Sequence, residues 1–367
     1  MATRVLITAD AVGGVWQYAT DLACALPALG FEPTVAVLGP EPSAAQRAAL
    51  DEAGIPLIEM GLPLDWLCGG PVPVREAGKA LCALVRERGF DLVHCNMPTL
   101  AASGAFDVPV VAVAHGCLAT WWDAANGTTL PPDFRWQRTL TEQGFRTASR
   151  VVAPTAAFAA VIQSTYGLAD LPMPVHNGRR PLTLSAEAAT DAVFTAGRLW
   201  DQVKQTRLLD RVAARLSVPF HAAGALVGPH GEQVPIDHLH PLGLLGEAEL
   251  AGWLAKRPIF VSAARFEPFG LAVLEAAAAG CPLILADLPT FRELWDGAAT
   301  FVSPEDEDGF VAAIEALRAD PAARAAMGAA AQQRAERYTP AAVARDMAAL
   351  YASLLAPVAT PKRSAAA

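Results

Sequence analysis

Short, nearly unbroken apolar runs alternate with longer stretches of mixed polarity along the first half of the chain. That is the pattern of strands buried on both faces and joined by crossover helices. Residues 4–9, 34–38, 56–60, 91–95, 108–114 and 150–153 read as strands, and residues 43–53, 74–88 and about 133–147 as helices, with another helix starting near Trp16. Strands spaced by helix-length segments predict right-handed crossovers and a parallel, doubly wound sheet. Two irregular insertions, residues 61–73 and 117–132, fall at strand carboxyl ends.

The pattern pauses at residues 171–181, LPMPVHNGRRP, where proline becomes frequent and a polar, Ala-rich stretch follows. This is the best domain boundary, with Asn177-Gly178 as a turn signal and Arg179-Arg180 placing positive charge where two domains meet. A second series then begins. Residues 192–196, 218–222, 239–244, 258–263 and 282–286 read as strands, residues 247–256 and a segment ending near 216 as helices, and residues 310–318, 321–337 and 340–355 as amphipathic helices. Residues 356–367 have the composition of a mobile tail.

Within the second series, residues 267–280 read EPFGLAVLEAAAAG. An acidic residue and a Pro-Gly turn lead into a helix of small residues, which Gly280 ends before the next strand. The free N–H groups of that helix start lie at the carboxyl end of the sheet, where open α/β sheets bind ligands and an anion is favoured. Glu267 and Glu275, eight positions apart, flank this phosphate-type site.

A length of 367 residues favours two domains, and 53% hydrophobic with 18% charged residues favours a filled core over disorder. The net charge of −9 argues against nucleic acid as a partner, so an anionic ligand would be held by a few local basic groups. Only Lys79, Lys204, Lys256 and Lys362 are lysines among 28 basic residues, which makes Lys204 beside Gly197-Arg198 informative. Six cysteines without a CxxC pair read as reduced packing thiols in a cytoplasmic protein. No apolar run is long enough to span a bilayer, while residues 62–67 leave peripheral membrane contact open without a basic amphipathic helix to support it.

Candidate chemistry gathers at the strand ends of the first domain. Gly13-Gly14 follows the first strand without the GxGxxG of dinucleotide binders, so it is either a structural turn or a point of close backbone approach to a ligand. His115 ends a strand as Ala-His-Gly, which favours a site role over a core histidine, and His94 ends the preceding strand with weaker support. Neither has metal-ligand spacing. Trp16, Trp66, Trp121 and Trp122 either cap core edges or form a stacking platform on the rim of the sheet. The acidic run Glu305-Asp306-Glu307-Asp308 reads as a helix start rather than a metal site.

With these residues in order, the chain resembles the retaining glycosyltransferases of family 4, whose two Rossmann-like domains face each other across a cleft in the GT-B arrangement. The resemblance rests on Glu-x7-Glu at Glu267 and Glu275, the Gly13-Gly14 loop, Ala-His-Gly at His115, Val175 to Gly178, Gly197-Arg198-Leu199 with Lys204, and Pro241-Leu242-Gly243. It covers nearly the whole chain. It implies an acceptor domain at 1–176, a donor domain at 177–340, and at 341–367 a helix crossing back to the first domain plus the tail.

The resemblance also implies roles. Arg198 and Lys204 would neutralise a donor diphosphate, with Gly13 and Gly14 approaching it from the other domain. The amides of Phe269, Gly270 and Leu271 would bind phosphate or sugar hydroxyls, Glu275 the ribose, and Glu267 the reacting face of the sugar. His115 would hold the sugar's 6-hydroxyl, and Leu242, Gly243 and Leu244 the base. The implied reaction moves a hexose from a nucleotide diphosphate sugar, a UDP-sugar before a GDP- or ADP-sugar, to the hydroxyl of an unidentified acceptor, with retention and with no metal or other cofactor. The alternatives are a nucleotide-sugar epimerase or phosphorylase on the same fold and a dinucleotide-dependent oxidoreductase. The six-residue step from Arg198 to Lys204, one longer than in many relatives, predicts a differently shaped loop between them.

Overall fold

The computed structural model describes residues 2–103 and 106–356. Two parallel sheets carry the chain. The first contains β1 (Thr3–Ala9), β2 (Phe31–Val37), β3 (Leu57–Glu59), β4 (Leu92–Cys95), β5 (Val110–Val113), β6 (Arg150–Ala153) and β7 (Met173–Pro174), in the order β3-β2-β1-β4-β5-β6-β7. The second contains β8 (Val193–Ala196), β9 (Phe220–Ala223), β10 (His240–Gly243), β11 (Ile259–Ser262), β12 (Leu283–Ala286) and β13 (Thr300–Val302), in the order β10-β9-β8-β11-β12-β13. The order reverses between β1 and β4 in one sheet and between β8 and β11 in the other. Such reversals open a crevice at the carboxyl ends of the strands.

Helices cover both faces of each sheet, which is why the central strands are apolar throughout instead of alternating. Val5, Leu6, Ile7, Ile259, Phe260 and Val261 are each at most 1% exposed. Leu6 packs into a core with Leu81, Val85 and Val93, while Val5 and Ile7 pack on the opposite face with Leu22, Leu92 and Val111.

The last helix among the described residues, Pro340–Leu355, leaves the second domain to complete the first. Thr339 caps it by accepting from the Ala342 amide at 3.2 Å. Its Val343, Ala344, Met347, Leu350 and Tyr351 are all buried in the core around β1. Beside its start the Arg179 amide donates to the Tyr338 carbonyl at 3.1 Å, so the outgoing and returning links cross in contact.

Four departures from the sequence reading have local causes. The insertion at 117–132 is not wholly irregular: Leu118–Asn126 is a helix, ended by Gly127 at φ 59°. Ala156–Tyr166 and Pro289–Trp295 are helices, and Thr300–Val302 is a strand, where the apolar pattern signalled no element. The first of these is apolar almost all round and so has no amphipathic period, although Thr155 caps it by accepting from Phe158 N at 3.1 Å. The other two, at seven and three residues, are too short for a period to register. The acidic run at 305–308 does start a helix: Asp306 caps Glu307–Ala319 by accepting from Gly309 N at 2.9 Å. The expected mobile tail falls on residues 357–367, outside the described residues. No helix among the described residues is long and apolar enough to cross a membrane.

Because Met347 is fully buried in the first domain's core, Met347→Ala is expected to lower that domain's stability by about 2–5 kcal/mol. Urea denaturation followed by tryptophan fluorescence measures it, and a loss below about 0.5 kcal/mol would remove the last helix from that core.

Candidate functional site

The site forms where the carboxyl ends of the two sheets meet. Its floor is the loop from Glu267 and the helix Leu271–Ala278. Gly270 enters that helix at φ 90°, and a Cβ there would lie 3.0 Å from the Phe291 ring, so conformation and space both demand glycine. No side chain caps this helix, which leaves its first N–H groups without a side-chain acceptor. Two hydroxyls pin the loop. Thr290 Oγ1 donates to the Glu267 carbonyl at 2.7 Å, and Thr155 Oγ1, from the first domain, donates to the Pro268 carbonyl at 3.1 Å.

Eight residues of spacing send the two acids into different surroundings. Glu267 precedes the helix and accepts from Lys204 Nζ at 2.5 Å, with both side chains 19% exposed. Glu275 lies one turn inside the helix and accepts from Arg179 Nε at 2.9 Å. The same guanidinium donates through Nη1 to Asp21 of the helix Gly14–Ala25 at 3.0 Å and approaches Glu247 at 3.5 Å. Arg179 and Asp21 have side chains only 7% and 9% exposed. Burial raises the Glu275 carboxyl above its ordinary range, and Arg179 draws it back.

The first domain closes on this floor. A Cβ on Gly14 would lie 3.2 Å from the Leu271 side chain, so the Gly13-Gly14 loop comes close against the start of the helix. Asp10 shapes the loop by accepting from Val12 N at 2.8 Å, and burial pushes its carboxyl up to about 6 against that bond. Trp121 Nε1 donates to Asp201 of the second domain at 2.9 Å. Glu293 accepts from the Ala156 and Ala157 amides at 2.9 and 2.8 Å and meets His176 Nε2 at 2.8 Å.

Lys204 ends a short 3-10 turn, Gln202–Lys204, begun by Asp201, with Arg198 ahead of it. Asp201 also pairs with Arg198 at 2.9 Å, and the Arg198 guanidinium lies 5.8 Å from the Trp200 ring. A capped turn thus lies between the two cations. The structure brings Lys204 to Glu267 and holds Arg198 on Asp201, with the Arg198 side chain 61% exposed.

On β10, Leu242 packs against the second domain's core and the Gly243 carbonyl accepts from Gly224 N at 2.7 Å. Leu244 is 81% exposed. Asp210 Oδ1 accepts from the Asp237, His238 and Leu239 amides at 2.8 to 3.0 Å and so fixes the approach to this strand. Phe269 is buried in the core under the loop.

His115 follows β5 and its Nε2 lies 2.7 Å from Asn96 Oδ1, with the Tyr18 ring edge-on at 4.5 Å. Burial lowers its pKa to about 3, and that of fully buried His94 to about 4, so both are neutral near pH 7.

The four tryptophans do not form one platform. Trp16 is 6% exposed in the core around β1, because it points inward from the first turn of its helix, and it presents no free face. Trp66 packs on the opposite face of the sheet. Trp121 and Trp122 alone are adjacent, at 6.3 Å, and Trp122 lies 6.0 Å from Phe134.

Arg179, Asp21, Asp10 and Asn96 are the site residues the motifs did not reveal. Arg179 had a signal in the Arg pair after Asn177-Gly178, but a paired acid on a helix 158 positions earlier leaves none. Glu307 pairs with Arg211 at 2.7 Å and Asp308 with Arg215 at 2.7 Å, and no group of three potential metal ligands occurs among the described residues.

Two family models match the chain: Glycosyltransferase Family 4 over residues 12–180 and Glycosyl transferases group 1 over residues 190–320. Glycogen synthase of Mycobacterium tuberculosis is 26% identical over 372 residues, covering 88% of this chain and 86% of that protein. Phosphatidyl-myo-inositol mannosyltransferase of Mycolicibacterium smegmatis is 25% identical over 374 residues, covering 93% and 90%. Among solved structures, sucrose-phosphate synthase from Thermosynechococcus elongatus superposes with a TM-score of 0.77 at 17% identity over 96% of this chain and 99% of that one. Anabaena HepE, solved in complex with UDP-glucose, gives 0.73 at 19% identity over 96% and 100%. Both likenesses show the fold.

Removing the Arg179 guanidinium would leave Asp21 and Glu275 buried without a cation. Arg179→Ala is expected to destabilise the protein by about 3–5 kcal/mol in chemical denaturation, and a loss under about 1 kcal/mol would show that the two carboxylates do not depend on it.

Proposed function

The chain belongs to glycosyltransferase family 4, a GT-B glycosyltransferase, and from that premise we propose that it moves a hexose from a nucleotide diphosphate sugar to an acceptor hydroxyl, with retention and without a metal ion. The observation that carries this reading is the convergence of the Lys204–Glu267 pair and the uncapped Leu271–Ala278 helix, with Gly14 of the facing domain 3.2 Å, measured to a notional Cβ, from Leu271. A cation, unclaimed amides and a glycine loop around one point suit a diphosphate.

In this reading Lys204, with Arg198 beside it, neutralises the diphosphate as it departs, and the Phe269, Gly270 and Leu271 amides take phosphate or sugar oxygens. Glu275 receives the ribose hydroxyls, held in place by Arg179. Glu267 faces the reacting carbon of the sugar, and His115 holds the sugar's hydroxyl. The bond from that carbon to the phosphate oxygen breaks, the acceptor oxygen bonds to the carbon on the same face, and the acceptor proton passes to the departing phosphate. Positioning and charge stabilisation are then the whole of the protein's contribution. Lys204 and Glu267 pair with each other at 2.5 Å, and a bound donor would divide the pair between its phosphate and its sugar.

Leu242, Gly243 and Leu244 take the base, with a UDP-sugar favoured over GDP- and ADP-sugars. The acceptor enters past Trp66, Trp121 and Trp122. Since Trp121 is tied to Asp201, Trp122 beside Phe134 supplies the freer aromatic face. We place the reaction in the cytoplasm, as the free thiols Cys24, Cys68, Cys95, Cys117 and Cys281 support. Membership of a transferase family favours transfer over the epimerase, phosphorylase and oxidoreductase readings.

Thermal-shift measurements against UDP-, GDP- and ADP-glucose and GDP-mannose are expected to give the largest rise with the UDP-sugar. Lys204→Ala should abolish that rise and cut donor turnover by about 100- to 1,000-fold, and wild-type rates in the variant would overturn the donor site. Turnover should survive dialysis against EDTA and yield a product of unchanged anomeric configuration by NMR. A loss restored by Mg2+ or Mn2+, or an inverted product, would reject the corresponding part of the mechanism.

A further inference from the structure

His94 lies near the end of β4 and His115 just past the end of β5, yet the transfer reaction gives His94 no task. It is fully buried, and its two ring nitrogens are both engaged: Nδ1 lies 2.6 Å from Tyr351 Oη and Nε2 lies 3.1 Å from Asn96 Oδ1. That same oxygen lies 2.7 Å from His115 Nε2. Asn96 is 8% exposed and its orientation is not free. Its Nδ2 donates to the Thr8 carbonyl at 2.7 Å, and its backbone amide donates to Thr8 Oγ1 at 2.9 Å. A flipped amide would set two oxygens 2.7 Å apart, so Oδ1 must face the imidazoles.

An amide oxygen only accepts, so each histidine must carry its hydrogen on Nε2. His94 Nδ1 is then bare and accepts from the Tyr351 hydroxyl. By the same reasoning His115 Nδ1 is bare, and among the described residues no side chain or amide donates to it.

We infer that Tyr351, His94 and Asn96 form a fixed hydrogen-bond chain that holds His115 in the Nε2–H tautomer and leaves its Nδ1 as an acceptor for a donor-sugar hydroxyl. The inference rests on the proposed place of His115 beside the donor sugar, and it specifies the direction of that contact: the sugar hydroxyl donates and the histidine accepts. Asn96, His94 and Tyr351 are positioning residues. Tyr351 comes from the helix that crosses back from the second domain, so the link that closes the fold also orients a group in the site. The titratable groups facing the His115 ring are Tyr18 on the helix Gly14–Ala25 and His94 on β4, with Tyr351 behind His94.

The test is NMR of the full chain labelled with 15N-histidine. In the wild type both imidazoles are expected to be neutral and Nε2-protonated from pH 7 down to about 5, in line with their burial. A His115 in the Nδ1–H form, or one titrating near its ordinary value of 6.5, would overturn the chain. Asn96→Asp places a carboxylate against the Nε2–H groups and should raise the His115 pKa by one unit or more. Should that variant fail to fold, Tyr351→Phe removes only a hydroxyl. It is expected to shift the His94 Nδ1 resonance and leave the His115 tautomer in place, whereas an unmoved His94 Nδ1 would overturn the link. The pH–rate profile of UDP-glucose hydrolysis separates orientation from function. An acid limb moved upward in Asn96→Asp supports both. A shifted His115 pKa with an unmoved profile upholds the chain and rejects the donor contact.

Discussion

One buried guanidinium is the most enclosed ionic link between the two halves of this glycosyltransferase among the described residues. Arg179 meets Asp21 of the first domain and Glu275 of the second, and both of its acids are largely removed from water. Buried carboxylates are tolerated only when they are paired, so neither domain can present its acid stably without this link. Because Glu275 is also the residue proposed to receive the donor's ribose, domain closure and donor recognition draw on one side chain. The surface pairs, such as Arg86 with Asp107, are more exposed and screened, and they contribute far less.

The cations proposed to meet the donor are likewise partnered before it arrives. Arg198 rests on Asp201 and Lys204 on Glu267. In a chain of net charge −9 this places the basic groups locally and already oriented. The arrangement limits the reorganisation needed when a diphosphate binds, since each cation is held within its hydrogen-bond reach by a short loop or a helix. The spaced acids therefore each hold a basic group on the same floor of the site, Glu267 holding Lys204 and Glu275 holding Arg179.

The neutral side of the site is built by other means. His94, His115, Asn96, Thr8 and Tyr351 make a hydrogen-bonded cluster in which burial keeps both imidazoles uncharged. Tyr351 arrives from the last helix, packed in a core made mostly of residues more than 150 positions earlier. That helix is thus a structural closure and a support for the site.

The sequence by itself determined the two doubly wound domains, because unbroken apolar runs at helix-length spacing admit few other folds. It also determined the two spaced acids and the Gly13-Gly14 turn, because the acids are near neighbours in the chain and Gly13, at φ 67°, takes a conformation that favours glycine. It left open whether Trp16 faces solvent or core, since an aromatic near a glycine looks alike in either place, and it read the helix Leu118–Asn126 as irregular. Only the tertiary structure decided what faces what. Arg179 finds Asp21 across 158 positions and His94 finds Tyr351 across 257, and a pairing over such separations leaves no periodicity in the chain. It is set by the crossing of two links and the packing of one helix onto a sheet it does not follow.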